Sequence, residues 1–234
     1  MNAHRFTLAG AALVALPSGA LHWPEAGLLA VSDLHLGKSE RLARRGGALL
    51  PPYDTAETLA RLESAIAASG PRTVVCLGDS FDDDMAARTL PPGTEDRLLP
   101  LMAGRRWIWI AGNHDPGPAG LPGTHLAELI HGPLTFRHIA QAGARGEVSG
   151  HYHPKARLTL GGRRLSRACF LVDDRRAILP AFGAYTGGLA MDAPALDTLM
   201  ADGAVAILTG ARAVAMPMRP APGRAPRPRA GSGG

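Results

Sequence analysis

Short apolar runs of strand length recur along the 234 residues, and several stop in a glycine followed by polar groups. The stretches at 28–32 (LLAVS), 73–77 (TVVCL) and 106–111 (RWIWIA) are nearly continuous in apolar residues. That pattern predicts strands buried on both faces, as in a sheet covered by helices. Trp107 and Trp109 alternate with Ile108 and Ile110, so the tryptophans read as core and not as base-stacking groups. Between the first two runs, 54–69 (DTAETLARLESAIAAS) places Leu59, Leu62 and Ile66 at helical spacing, with Asp54 or Thr55 as the cap and Gly70-Pro71 as the stop. A shorter helix is expected over 94–102, bent or ended at Pro100.

The remaining pattern is shorter in period. An N-terminal strand pair is expected over 6–23, turning at PSGA (17–20). Beyond 111 come a Pro/Gly-rich loop, a short helical piece over 126–130, and strands at 134–138 and 147–149. A meander follows at 157–160, 164–172 and 177–179, with turns at Gly161-Gly162 and Asp173-Asp174. The Gly-rich segment 181–189 reads as loop, 196–200 as a short helix and 205–208 as a last strand. No internal repeat is evident.

Composition narrows the class. The length and the 46% hydrophobic content suit one α/β domain over 1–216. From Pro217 the chain turns to Pro, Arg, Ala and Gly, a composition that predicts a disordered tail over 217–234. The formal charge is +5, but residues 203–234 hold five arginines and no acid, leaving the rest formally neutral. The sequence pI of 9.9 therefore does not by itself establish nucleic-acid binding. Cys76 and Cys169 sit in apolar runs and read as free buried thiols, which points to the cytoplasm. The apolar stretch 8–16, with Arg5 before it and Ser18-Gly19-Ala20 after it, has features of a signal peptide, but it reads better as part of a hairpin. No run reaches the ~18 apolar residues needed to span a bilayer.

The chemistry lies where the apolar runs end. Asp33 and His35 follow the first run two residues apart, on one face of an extended chain. Asp79 and Asp82 follow the second, Asn113, His114 and Asp115 the third, and His151 and His153 lie in GHYHP. Carboxylates with imidazoles and one amide oxygen suit Mn²⁺, Fe or Zn²⁺ better than Ca²⁺ or a thiolate site. If two ions are present one ligand must bridge them, and Asp79 is the natural choice. Of His125, His131 and His138, the last closes an alternating strand, LTFRH, and is preferred as a further ligand. His125 reads as an exposed helix start. Lys38, Arg41, Arg44 and Arg45 make the segment after His35 basic, either as a solvated helical face or as phosphate contacts.

The four motifs, D-x-H, G-D-x-x-D, G-N-H-D and G-H-x-H in this order, resemble those of the calcineurin-like metallophosphoesterases. The resemblance implies a two-sheet β-sandwich flanked by helices, with a two-metal site at one end of the sheets. Carried over by position, Asp33, His35, Asp79 and His153 would bind one ion, and Asp79, Asn113, His151 and a further histidine, here His138, the other. His114 would protonate or stabilise the leaving oxygen, oriented by Asp82, while two ions activate a bridging water for in-line attack on phosphorus. DLHLGK with its Arg-rich Gly-Gly loop, the TLARLE helix, GHYHP and LPAFGAYTGGL is similar, more closely, to the bacterial ligase-associated endonucleases of the DNA damage response. That likeness implies a Mn²⁺-dependent phosphodiesterase cutting single-stranded DNA, linked with a helicase, a ligase and an exonuclease. Lys38, Arg44 and Arg45, by their position next to the expected metals, are the candidate substrate contacts, and no membrane association is expected.

Two other readings belong beside it. A small-molecule or lipid-headgroup phosphodiesterase or pyrophosphatase shares some motifs, but its H-G-D segment is replaced here by His131-Gly132-Pro133. A protein phosphatase would carry Arg where Asp83 stands. A non-catalytic metal-binding repair subunit would lack His114 or a ligand, and none is missing.

Overall fold

A computed structural model describes residues 2–44, 46, 53–83, 93–113 and 121–219, without the side chains of 40, 43, 44 and 160. The first sheet holds seven strands in sequence order: β1 (His4–Leu8), β2 (Ala11–Ala15), β3 (Leu21–Trp23), β4 (Leu28–Val31), β5 (Thr73–Cys76), β6 (Arg106–Ile110) and β7 (Thr124–Leu126). β1 to β4 form an antiparallel meander, and β4 to β7 run parallel. The crossovers include α1 (Lys38–Arg44), α2 (Asp54–Ser69) and α3 (Thr94–Met102). The second sheet is built from β8 (Glu128–His131), β9 (Leu134–Arg137), β10 (Glu147–Ser149), β11 (Lys155–Leu160), β12 (Arg163–Val172), β13 (Arg176–Ile178), β14 (Val205–Leu208) and β15 (Val214–Pro217). Its order is β15-β14-β12-β13-β10-β9-β8, with β11 paired only to β12, and α4 (Pro194–Leu199) covers its outer face.

Side-chain alternation sets the layers. In β4, Leu28 and Ala30 point into the space between the sheets and meet Phe136, Val148 and Phe170. Leu29 and Val31 point outward, beneath Leu59, Leu62 and Leu98 of the helices. Trp107 and Trp109 join that outer layer and are buried. On the far side, Cys169, Leu171 and Ile178 pack against Leu196 and Met200. The result is the expected sandwich flanked by helices. Cys76 and Cys169 are buried in different clusters.

Several local expectations change. The N-terminal stretch holds three strands, because Ala9 (φ 47°) and Gly10 (φ 85°) take the left-handed conformations of a two-residue hairpin turn and split the apolar run into β1 and β2. The helical piece expected over 126–130 is instead parts of β7 and β8. Leu126, Leu129 and Ile130 have helical spacing, but the His131-Gly132-Pro133 turn pairs β8 with β9, leaving Leu129 buried and Ile130 exposed. His125 accordingly lies in β7, stacked on Trp109 at 6.5 Å between centroids. The third helix continues through Pro100 to Met102.

Neither Asp54 nor Thr55 caps α2. Asp54 accepts from the Ser39 amide (3.0 Å) and hydroxyl (2.7 Å), and Thr55 from the Gly37 amide (3.0 Å). Both tether the start of α1. Order also continues past 216: Pro217 ends β15, Met218 is buried, and Arg219 donates to the carbonyls of Asp197, Met200 and Ala201 at the end of α4. Residues 220–234 lie outside the described residues.

Candidate metal centre

Every candidate ligand follows the carboxyl end of a strand that has at least one parallel neighbour. Asp33 and His35 come after β4, Asp79 after β5, Asn113 after β6, His138 after β9, and His151 and His153 after β10. β9 and β10 are parallel to each other, so the second sheet delivers its imidazoles at one end as the first delivers its carboxylates. Two clusters result, Asp33 with His35 and His153, and Asp79 with His138 and His151, their ligand atoms within 4.8 Å in each.

In the first cluster Asp33 Oδ1 lies 3.0 Å from His153 Nε2, which is 3.4 Å from His35 Nε2. The other Asp33 oxygen accepts from the Ser32 hydroxyl and from the His151 amide at 3.0 Å. Burial raises the Asp33 carboxyl, but His153, His138 and Ser32 outweigh it and hold the group below the usual carboxylate range. His35 Nδ1 faces Asp82 Oδ1 at 3.0 Å, and the second Asp82 oxygen is taken by Arg41. Burial raises Asp82 too, and His35 and Arg41 overcome it.

In the second cluster His138 Nδ1 is 2.8 Å from the Leu77 carbonyl, which can only accept. Nδ1 therefore carries the proton and Nε2 presents its lone pair. Around that Nε2 stand Asn113 Oδ1 (2.9 Å), His151 Nδ1 (3.2 Å) and Asp79 Oδ2 (3.4 Å). Burial pulls the imidazole pKa down, yet the Asp79 hydrogen bond and the charges of Asp33 and Asp79 leave it raised. His151 is lowered, by burial and then by His138. So many lone-pair donors converging on one point are stabilised by a positive charge, a proton in the bare chain or a cation in its place. Among the described residues the buried Asp33 Oδ1 has the His153 imidazole at 3.0 Å and no well-directed hydrogen bond, which leaves a carboxylate oxygen for a cation in the first cluster too. The donor set fits divalent metals.

The backbone is bent to allow this. Asp33 (φ 52°), His35 (φ 46°), Asp79 (φ 46°), His151 (φ 72°) and His153 (φ 47°) all lie in the left-handed region. Such residues cost of the order of 1–3 kcal/mol each and gather at functional sites. Two motif glycines serve close approach: a Cβ on Gly112 would stand 2.2 Å from the Asp79 amide and carboxylate, and one on Gly150 would stand 1.6 Å from Ser32 Oγ.

His138 is drawn into the centre, whereas His131 packs edge-on to Trp23 at 5.5 Å. Lys38 opens α1 beside Lys155, whose ammonium is lowered by burial and then by the Lys38 charge. His114, Asp115, Arg45 and the Arg44 side chain lie outside the described residues. The orientation of His114 by Asp82 is therefore not seen, and among the described residues the carboxylate holds His35 and Arg41. In the sequence Arg41 stands out only as part of a basic segment. Its one clue was its place one helical turn after Lys38.

Three comparisons bear on identity. The Calcineurin-like phosphoesterase family profile matches residues 27–169. No curated protein gives a significant match. Among solved structures, the Pseudomonas putida nuclease MPE is similar at 27% identity with a TM-score of 0.68, over 88% of this chain and 96% of that one. With more than half of its length under the family profile, and that family's motifs folded into two neighbouring metal-type clusters, the chain belongs to the calcineurin-like phosphoesterases, hydrolases that work with divalent metals.

Proposed function

We propose that this phosphoesterase is a DNA endonuclease that cleaves phosphodiesters within single-stranded DNA, with two Mn²⁺ ions, in a repair pathway shared with a helicase, a ligase and an exonuclease. The observation that carries the reading is the pairing of two adjacent clusters at one end of the sandwich, in a chain similar over most of its length to a nuclease. Asp33, His35 and His153 would hold one ion and Asn113, His138 and His151 the other, with Asp79 shared. When bound, such a pair acidifies a water and neutralises charge on the phosphoryl oxygens.

The chain's own groups do the rest. Asp82 faces the His35 ring at Nδ1 and the Leu77 carbonyl holds the His138 ring at Nδ1, so each ring would turn its Nε2 toward an ion. Ser32 and the His151 amide fix one Asp33 oxygen and leave the other to bind. His114 would give its proton to the departing oxygen. Lys38, Arg44 and Arg45 would contact the phosphates of the strand.

The test compares wild type with His114→Ala, loaded with Mn²⁺, on a bis-aryl phosphodiester and on circular single-stranded DNA, which offers no ends. Nicking of circles by wild type and at least ~100-fold slower nicking by a variant that keeps its metal is the expected result. Turnover of nucleotide sugars or phosphomonoesters without attack on circles would overturn the DNA reading and favour a small-molecule substrate.

A further inference from the structure

The hairpin of β11 and β12 leaves the second sheet beside the metal centre and carries charge of one sign. Of the described strands β11 pairs only with β12, in antiparallel register from Lys155↔Ala168 to Leu160↔Arg163, with Lys155 also bridging Ala190 at its root. Six rungs at ~3.3 Å make an arm about 20 Å long. It starts two residues after His153, and its root is pinned: the Lys155 amide donates to Leu189 O (2.8 Å), its ammonium to Thr186 O (2.7 Å), and the Cys169 amide to Pro154 O (3.0 Å).

Residues 155–167 contain Lys155, Arg157, Arg163, Arg164 and Arg167 and no acid. All four arginines are exposed, and among the described residues none is in an ion pair. Several arginines of the body are paired: Arg41 is held by Asp82, Arg137 by Glu128 and Arg176 by Glu147. Strand alternation puts Arg157 and Arg164 on one face with Thr159 and Ser166, and Arg163 and Arg167 on the other, flanking Leu158 and Leu165. These two leucines with Arg157, Thr159, Arg164 and Ser166 line a concavity of about 490 Å³. Like charges on adjoining strands repel, so the arm is destabilised by its own composition until an anion covers it.

We infer that this arm is the strand-binding surface of the enzyme: its arginines hold phosphates of a single-stranded nucleic acid whose scissile diester lies at the metal centre. The inference rests on the nuclease reading above. A ligand that reaches both the clusters around His153 and an arginine ladder extending about 20 Å beyond them must repeat its negative charge along its length, and a polynucleotide backbone does so. An acidic peptide lacks the diester that the centre acts on, and a phospholipid surface, which has diesters, spreads them over a plane instead of along one strand.

Arg157, Arg163, Arg164 and Arg167 are changed together to Ala, and separately together to Lys, in the full chain loaded with Mn²⁺. Bis-aryl phosphodiester turnover reports whether the centre is intact, because that substrate is too short to reach the arm. Expected for the alanine variant are unchanged small-diester turnover, a KM for circular single strands raised at least ~10-fold, and a salt dependence of binding flatter by about 0.7 in log–log slope per arginine lost. The lysine variant should recover most of that slope. Equal DNA binding and equal slope in the alanine variant would overturn the arm's role alone, as would an equal loss on the small diester. If wild type turns over the small diester but neither binds nor cuts DNA, the nuclease reading falls and the arm's role with it.

Discussion

Five candidate ligand residues in left-handed backbone conformations mean that the centre is held against local preference. His151 (φ 72°) is the most accessible test. Glycine takes that conformation without strain, and the His151 amide bond to Asp33 survives the change. His151→Gly should therefore melt no lower than wild type when both are metal-free, with a gain of about 1 kcal/mol, while binding one ion fewer by elemental analysis. A metal-free variant that melts well below wild type would show that the ring's packing outweighs the backbone term. At Asp82 the relevant interaction is indirect, through the His35 ring. Asp82→Asn should weaken metal binding by roughly 10–100-fold in calorimetric titration, and an unchanged affinity would remove Asp82 from that role. The residue types were legible in the sequence because ligands are chemically distinctive. The partners of Asp82 were not, since His35 and Arg41 reach it only through the Leu36–Phe81 bridge and α1.

At the level of elements, the apolar runs match strands where both faces are buried, as in β4, β5 and β6. They mislead where one face is open. In β8 the exposed Ile130 and buried Leu129 imitate a helical stripe, and only pairing with β9 decides between the two. Likewise the polar start of α2 looks like a cap but serves tertiary contacts: Thr58 joins Asp54 and Thr55 in reaching out of the helix, to the Ala184 amide at 2.9 Å. The meeting of β10 with the β4 loop depends on the missing side chain at Gly150. Gly150→Ala would drive a methyl into Ser32 and Asp33, so a loss of several kcal/mol in denaturant unfolding is expected, beyond the ~1–3 kcal/mol typical of overpacking. A variant as stable as wild type would mean that the two loops separate easily.

Across the whole molecule, stability and the site are coupled through buried charge. Asp33 and Asp82 both have depressed pKa values, so over the acid range the unfolded chain binds more protons than the folded one. Their contribution is complete above the ordinary carboxylate pKa of ~4 and is lost as pH falls through the lower folded values. Metal-free protein should accordingly unfold more easily below about pH 4, and Asp82→Asn should flatten that acid limb in urea titrations, whereas an identical limb would exclude Asp82 as a source. Metal adds a second dependence. Each candidate ion site is assembled only by folding, so chelation should lower the melting temperature, and saturating Mn²⁺ at ~100 times Kd should restore about 2.7 kcal/mol per site. A melting temperature indifferent to chelator would argue against both clusters as ion sites.

The amino-acid sequence by itself determined which segments are strands with two buried faces, where they stop, and which donor atoms stand at their ends, because side-chain period and ligand chemistry are local properties. Only the tertiary structure decided that β9 and β10 run parallel, bringing His138, His151 and His153 to the end where β4 and β5 present Asp33 and Asp79. Contacts such as His35 with His153, 118 residues apart, arise from how the two sheets face each other, and that depends on the packing of the whole core.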